Sequence, residues 1–321
     1  MKQLITTIAL LCFLCTLSFA QTADTSYWKK GGVATFGFTN TGLSSYWQAG
    51  GFPSQSFIFR VNMHANYAKG KHSWDNDLAT GYGVLRQGKG LFSGEGDIPF
   101  VKNEDRFELN SKYGRKITDK LSLSSLLNFR TQFAPGFSFD PGAPTAIPDP
   151  DNIISQAFAP AYLNYGLGLD YKPTENFSLY YSPLTAKVTI VTVEEFRATY
   201  MPPDMVDQLA RFELGSNLNI KWLQKIDDNI TFQTNANFFT NYLAGTDEAG
   251  KSQFGNIDVN WETLTTAKVN DWLAITFSTN LIYDDDIKFE IIDQAGNSIG
   301  FGPRTQLQTV FAVGITYNFL K

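Results

Sequence analysis

Charged and hydrogen-bonding side chains recur at every second position along much of this 321-residue chain. Arg60, Arg106, Lys112, Arg130, Arg211, Lys221 and Lys268 supply the cations of that pattern, and Asp75, Asp77, Glu108, Asp170, Glu213, Asp258 and Glu262 the anions. The two signs balance. An ion-selective pore is lined by a ring of one sign, so neither cation nor anion transport is favoured. Mixed signs suit mutual pairing, which stiffens an interior or flanks a narrow aqueous path. Between the charges lie neutral donors and acceptors, among them Asn62, His64, Asn66, Asn110, Asn128, Asn217, Asn219, Asn235 and Asn237. They suit lumenal water, and equally an uncharged polar solute such as a sugar.

Other chemistry is poorly provided for. The chain has two histidines, His64 and His72, and no serine is placed with a histidine and an acid as a hydrolase needs. No enzyme activity and no cofactor are expected. The acidic groups Asp284-Asp285-Asp286 and Asp140, Asp149 and Asp151 lack the ordered spacing of a calcium loop, so no metal is expected and they read as solvated external acids.

The elements that must position these side chains are strands. Asp105–Phe133 is the clearest stretch: Phe107, Leu109 and Tyr113, then Leu121, Leu123, Leu127, Phe129 and Phe133, alternate with Arg106, Glu108, Asn110, Lys112, Asn128 and Arg130. Alternation held for about ten residues per strand exceeds the usual soluble strand and matches the length that crosses a bilayer on a tilt. The same pattern is read in a first strand from Gly31, then in Phe57–Tyr67, Trp74–Val84, Ala161–Asp170, Phe177–Ile190, Phe212–Trp222, Ile230–Tyr242, Ile257–Val269, Leu273–Tyr283 and Leu307–Phe319. That makes about twelve strands. Short connections at Gly70, Thr118, Pro173, Lys225 and Asn270 alternate with long ones, as periplasmic turns and external loops do in bacterial barrels. The expected fold is all-β, a transmembrane antiparallel up-and-down β-barrel. Closure is required, because an open edge in hydrocarbon leaves backbone donors and acceptors unsatisfied at several kcal/mol each.

Turn geometry fixes registers. Gly70-Lys71, with glycine first, suits a type II′ hairpin that sets His64 opposite Asp77, and the turn Thr118–Lys120 sets Glu108 opposite Arg130. An ion pair is expected at each. The apolar phase slips at Ser182-Pro183, where a bulge accommodates one extra residue. Gln87–Glu104 and Ala134–Ala157 read as loops, and Ser44–Gly51, SSYWQAGG, as a packed external turn.

Lys2, the apolar run Leu4–Leu17 and Ser18-Phe19-Ala20 have the form of a secretory signal, with cleavage expected after Ala20. Residues 21–30 then form a short periplasmic segment and 31–321 the barrel. Both cysteines, Cys12 and Cys15, fall within the signal, so the exported chain has no disulfide and depends on its hydrogen-bond ring for closure. The 26 Lys+Arg against 31 Asp+Glu leave no basic footprint for nucleic acid. Aromatics at 15% suit the interfacial girdles of a barrel.

Ser44–Gly51, Lys102–Lys116 (KNEDRFELNSKYGRK), Phe129–Phe137 (FRTQFAPGF) and Leu179–Val191 (LYYSPLTAKVTIV) together resemble a family of exported bacterial outer-membrane proteins classed only as a domain of unknown function, number three thousand and seventy-eight. The resemblance implies the location and the fold, and no activity. The last strand, closing on Phe319 before Leu320 and Lys321, resembles the signal read by the barrel-assembly machinery. The expected partners are that machinery, the lipid bilayer and a small polar solute. Two functional readings stay open: a narrow channel for small polar solutes, or a filled, non-conducting barrel with a structural or surface role.

Overall fold

The computed structural model describes residues 27–42, 53–88, 99–137, 153–202, 205–246, 250, 252–285, 287–292 and 298–319. Residues 1–26 and Ser44–Gly51 lie outside the described residues, as do Asp140, Asp149, Asp151 and Asp286. In chain order come β1 (Trp28–Thr41), β2 (Ser54–Lys69), β3 (His72–Gln87), β4 (Val101–Lys116) and β5 (Leu121–Thr131). Two short strands follow, β6 (Gly136–Phe137) and β7 (Ile153–Ser155), then β8 (Ala161–Thr174), β9 (Phe177–Ile190) and the helix α1 (Glu194–Tyr200). The rest are β10 (Ala210–Lys225), β11 (Ile230–Asn241), β12 (Asp258–Lys268), β13 (Leu273–Tyr283), β14 (Lys288–Ile292), β15 (Ser298–Pro303) and β16 (Gln306–Phe319).

Twelve of these strands, β1–β5, β8–β13 and β16, close into one antiparallel ring in which each strand pairs with the barrel strands before and after it, and β16 returns to β1. Two-strand sheets β6–β7 and β14–β15 belong to the long connections. The molecule is a transmembrane β-barrel, and polarity explains why. Phe36, Phe59, Trp74, Leu123, Phe212, Phe277 and Phe311 are exposed, whereas Glu213, Asp170, Lys187, Asn217 and Thr189 are buried. That inversion is stable only where the solvent outside is itself apolar. Tyr27, Trp28, Tyr67 and Trp74 cluster at the short-turn end, and Phe38, Phe57 and Phe100 at the other. From Tyr67 to Phe57 the tilted strand climbs roughly 25 Å, the height of an outer-membrane apolar band.

The registers agree with the turns. His64 lies opposite Asp77 and Glu108 opposite Arg130. Gly70 has φ +58 and Lys71 has no positive φ, which is the type II′ arrangement. The slip at Ser182-Pro183 is a bulge on β9: Ser182-Pro183 face the single Gly168 on β8, and Pro183-Leu184 the single Ser216 on β10. A Cβ on Gly168 would run into the Tyr181 carbonyl of the bulged strand, so the bulge needs glycine opposite it, and one on Gly215 would run into the Thr240 carbonyl of β11.

Several features differ from the sequence reading, among them the β6–β7 pair inside the stretch Ala134–Ala157 read as a loop. β1 starts at Trp28, ahead of Gly31 where alternation becomes legible, and β4 starts at Val101 inside the stretch read as a loop. A register shift between Gly83 and Val84 hides that start, because one extra residue breaks the period of two. The connection 191–209 contains α1, whose Phe196 packs with Ala159, Val191 and Met201 into a small apolar core. The connection 284–305 contains the β14–β15 hairpin. Both segments are too short for periodicity to register.

Candidate functional site

The interior is crossed by ion pairs at three heights. Nearest the short turns, Lys112 Nζ meets Asp170 at 2.8 Å, Lys172 meets Asp75 at 2.9 Å and Asp170 at 3.6 Å, and Lys221 meets Asp77 at 3.9 Å. β8 and β3 are three strands apart around the ring and β10 and β3 five apart, so these contacts run through the lumen and not along the wall. At mid-height, Arg106 holds Glu108 at 2.5 Å and Glu262 at 2.9 Å. Asn110 and Asn128 both donate to Glu108, and Asn164 extends the row by donating to Asn128. Toward the long loops, Lys187 Nζ lies 2.8 Å from Asp258, 3.6 Å from Glu213 and 3.9 Å from Asp284, and Arg211 lies 3.0 Å from Glu213. Arg60 holds Glu104 through two donors at the same end.

Several expected pairings change partner. Glu108 takes its neighbour Arg106 along the strand, while Arg130, opposite Glu108, lies 5.3 Å over the Tyr162 ring. A guanidinium two residues away on the same face reaches as easily as one across the ladder. Among the described residues His64 makes no ion pair with Asp77: its ring covers Gly31 on β1, and Asp77 faces Lys221 instead. Asn62 is exposed, and Lys268 is exposed at the end of β12. His72 at the short-turn rim pairs with the Tyr113 hydroxyl at 2.6 Å.

The structure adds Lys172, Lys187, Glu104 and Asp284 to the interior ion pairs, two of each sign, so the balance is kept. Lys187 is legible once the slip at Ser182-Pro183 is corrected, since Ala186 and Val188 point outward. Lys172 and Glu104 sit on strand ends longer than the alternation suggests. Asp284 follows β13 and carries no periodic signal.

The neutral groups form rungs. Asn217 donates to Asn237 at 3.0 Å and Asn219 to Asn235 at 2.8 Å between β10 and β11. Exposure differs around the ring. On β8–β10 the inward side chains Asp170, Thr189, Glu213, Asn217 and Asn219 are buried, whereas Asn62 and His64 on β2 and Gln306 and Gln308 on β16 are exposed.

Residues 38–137 match the family described as "Protein of unknown function (DUF3078)". Three of the four stretches that carry the family resemblance, Ser44–Gly51, Lys102–Lys116 and Phe129–Phe137, fall within that match. No curated protein matches the chain. Among solved structures, an outer membrane channel from Pseudomonas putida F1 aligns at 9% identity and TM-score 0.38, over 94% of this chain and 100% of that one. The NanC porin aligns at 6% identity and TM-score 0.37, over 89% and 98%. The translocator domain of the autotransporter NalP from Neisseria meningitidis aligns at 10% identity and TM-score 0.32, over 98% and 94%.

Proposed function

We propose that the protein is a bacterial outer-membrane barrel that gives small uncharged polar solutes a narrow path along the wall formed by β16, β1 and β2. The observation that carries this reading is the lopsided interior: inward-facing Asn62, His64, Gln306 and Gln308 are open to water, while the facing wall is packed shut. Cancelling charges leave no field to select ions, and amide side chains offer donors and acceptors to a neutral solute. In this reading the chain is exported, cleaved after Ala20, and inserted by the assembly machinery through β16.

The test is single-channel recording of the refolded mature barrel in a planar bilayer. Small steps with little preference between potassium and chloride, reduced by Asn62→Trp, are the expected result. Silence from a correctly folded barrel rejects the path. A second reading, a filled barrel with a structural or surface role, is favoured by the Arg106–Glu262 pair, which bridges strands on opposite sides of the ring. On that reading Arg106→Ala conducts where the native chain does not.

A further inference from the structure

The ring is closed unevenly. β1 and β16 share six residue pairs, Gly32↔Phe319 to Gly37↔Gly314, whereas every other seam of the barrel has ten or more. Continuing that register would set Phe38 against Val313 and Thr39 against Ala312. Instead, among the described residues, Phe38–Thr41 pair only with β2, and Gln306–Val313 pair only with β13. The wall is split at its long-loop end. A cavity of about 300 Å³ lies at the split, at the lower limit of small-ligand sites.

We infer that this split is a lateral binding site for a single-chain amphipath with an uncharged, hydrogen-bonding head, entering from the surrounding leaflet. The cavity changes character along its length. On its outward side stand Phe38 and Phe311, both exposed on the lipid face. Its middle is lined by Ile58, Val310 and Ala312, which face inward in an otherwise polar interior. The inner end is polar: Asn103 donates to Ser56, and Glu104 is already neutralised by Arg60. A second anion beside Glu104 would be repelled, and a cation would compete with Arg60, so the head that fits is neutral. Ile58 and Val310 are part-exposed apolar side chains beside a wet lumen, and a hydrocarbon chain covers them. Among the described residues the separated edges leave backbone donors and acceptors without a partner across the seam at membrane depth, and a hydroxylated head supplies partners.

The experiment reconstitutes the mature barrel in phosphatidylcholine vesicles containing a monoacylglycerol with a diazirine on its acyl chain, followed by photolysis and mapping of labelled residues. The expected result is label on inward-facing Ile58 and Ala312, displaced by unlabelled monoacylglycerol, together with undisplaced label on the outer wall. Label confined to outward-facing residues such as Phe59 and Phe311 overturns the inference. A second variant, Thr39→Cys with Ala312→Cys, oxidised to seal the split, is expected to lose the inward label and regain it on reduction. Unchanged inward label in the sealed barrel also overturns it. Should that pair fail to fold, Ile58→Trp fills the cavity and serves the same comparison.

Discussion

Arg106 on β4 and Glu262 on β12 meet at 2.9 Å although their strands stand six apart in a ring of twelve. No two strands of the barrel are further separated. The contact exists because both side chains are long, both point inward, and the guanidinium has donors to spare after holding Glu108 at 2.5 Å. One arginine therefore ties its own strand to the far wall.

The two acids of this bridge are not equivalent, and substitution separates them. Glu108 is buried, so Arg106→Ala takes away its direct ion pair and leaves it the amides of Asn110 and Asn128, with Arg130 across the ladder. The expected cost is about 3 kcal/mol, the lower end for breaking a buried pair. Glu262→Gln keeps a hydrogen-bonding partner for Arg106, and its cost is about 1 kcal/mol or less. Urea titrations of the barrel in micelles, read by tryptophan emission, give both values; equal losses would show that the bridge and not the buried acid carries the stability.

The bulge on β9 makes a prediction about assembly. Gly168→Ala and Gly215→Ala each push a Cβ into a neighbouring carbonyl and cannot be absorbed by a side-chain rotation. Gly37→Ala, by contrast, meets nothing nearer than 3.8 Å. The first two are expected to lose about 3 kcal/mol or fail to fold, and the third to fold as the native chain does. Heat-modifiable gel mobility distinguishes folded from unfolded barrel.

These positions also mark what was legible in the sequence. The slip at Ser182-Pro183 could be read because apolar residues kept strict alternation on both sides of it, and the registers at Gly70 and Thr118 because the turns were short. Partner choice was not legible. His64 and Asp77 are opposite each other as the turn dictates, yet Asp77 faces Lys221 five strands away, since reach across a lumen depends on closure and shear and not on ladder position. The start of β4 was hidden by the extra residue at Asn103, and α1 by its seven-residue length. The split between β1 and β16 has no sequence signature, because both edges alternate normally through it.

Above the membrane, the packing of α1 is expected to be alkali-sensitive. Burial pushes the Tyr200 hydroxyl up to about 12, with Tyr162 beside it adding to the rise, and the hydroxyl donates to the Ile154 carbonyl at 3.2 Å. An unfolded tyrosine ionises near 10, so the folded cap holds its proton longer than the unfolded one. Its contribution is complete below about pH 10 and is lost as pH rises toward 12. Partial exposure keeps the effect near 1 kcal/mol. Limited proteolysis of the 191–209 connection should accelerate over that interval, and Tyr200→Phe should abolish the pH dependence; a pH-dependent rate in the variant would place its cause elsewhere.

Lys187 sits where three acids converge, within 2.8 to 3.9 Å of Asp258, Glu213 and Asp284. Glu213 keeps Arg211 at 3.0 Å if the lysine is removed, and all three acids lose the charge they share. Lys187→Met is therefore expected to cost about 3 kcal/mol, whereas Lys187→Arg, which keeps the charge, costs less. The emptied position would be ringed by carboxylate oxygens, the ligand type calcium takes, so millimolar calcium should raise the melting temperature of Lys187→Met. The native barrel, whose lysine already occupies the centre, should not respond. Thermal unfolding of the three proteins with and without calcium reads all of this at once. A calcium response in the native chain, or none in Lys187→Met despite its destabilisation, would mean that the three acids do not share a single centre.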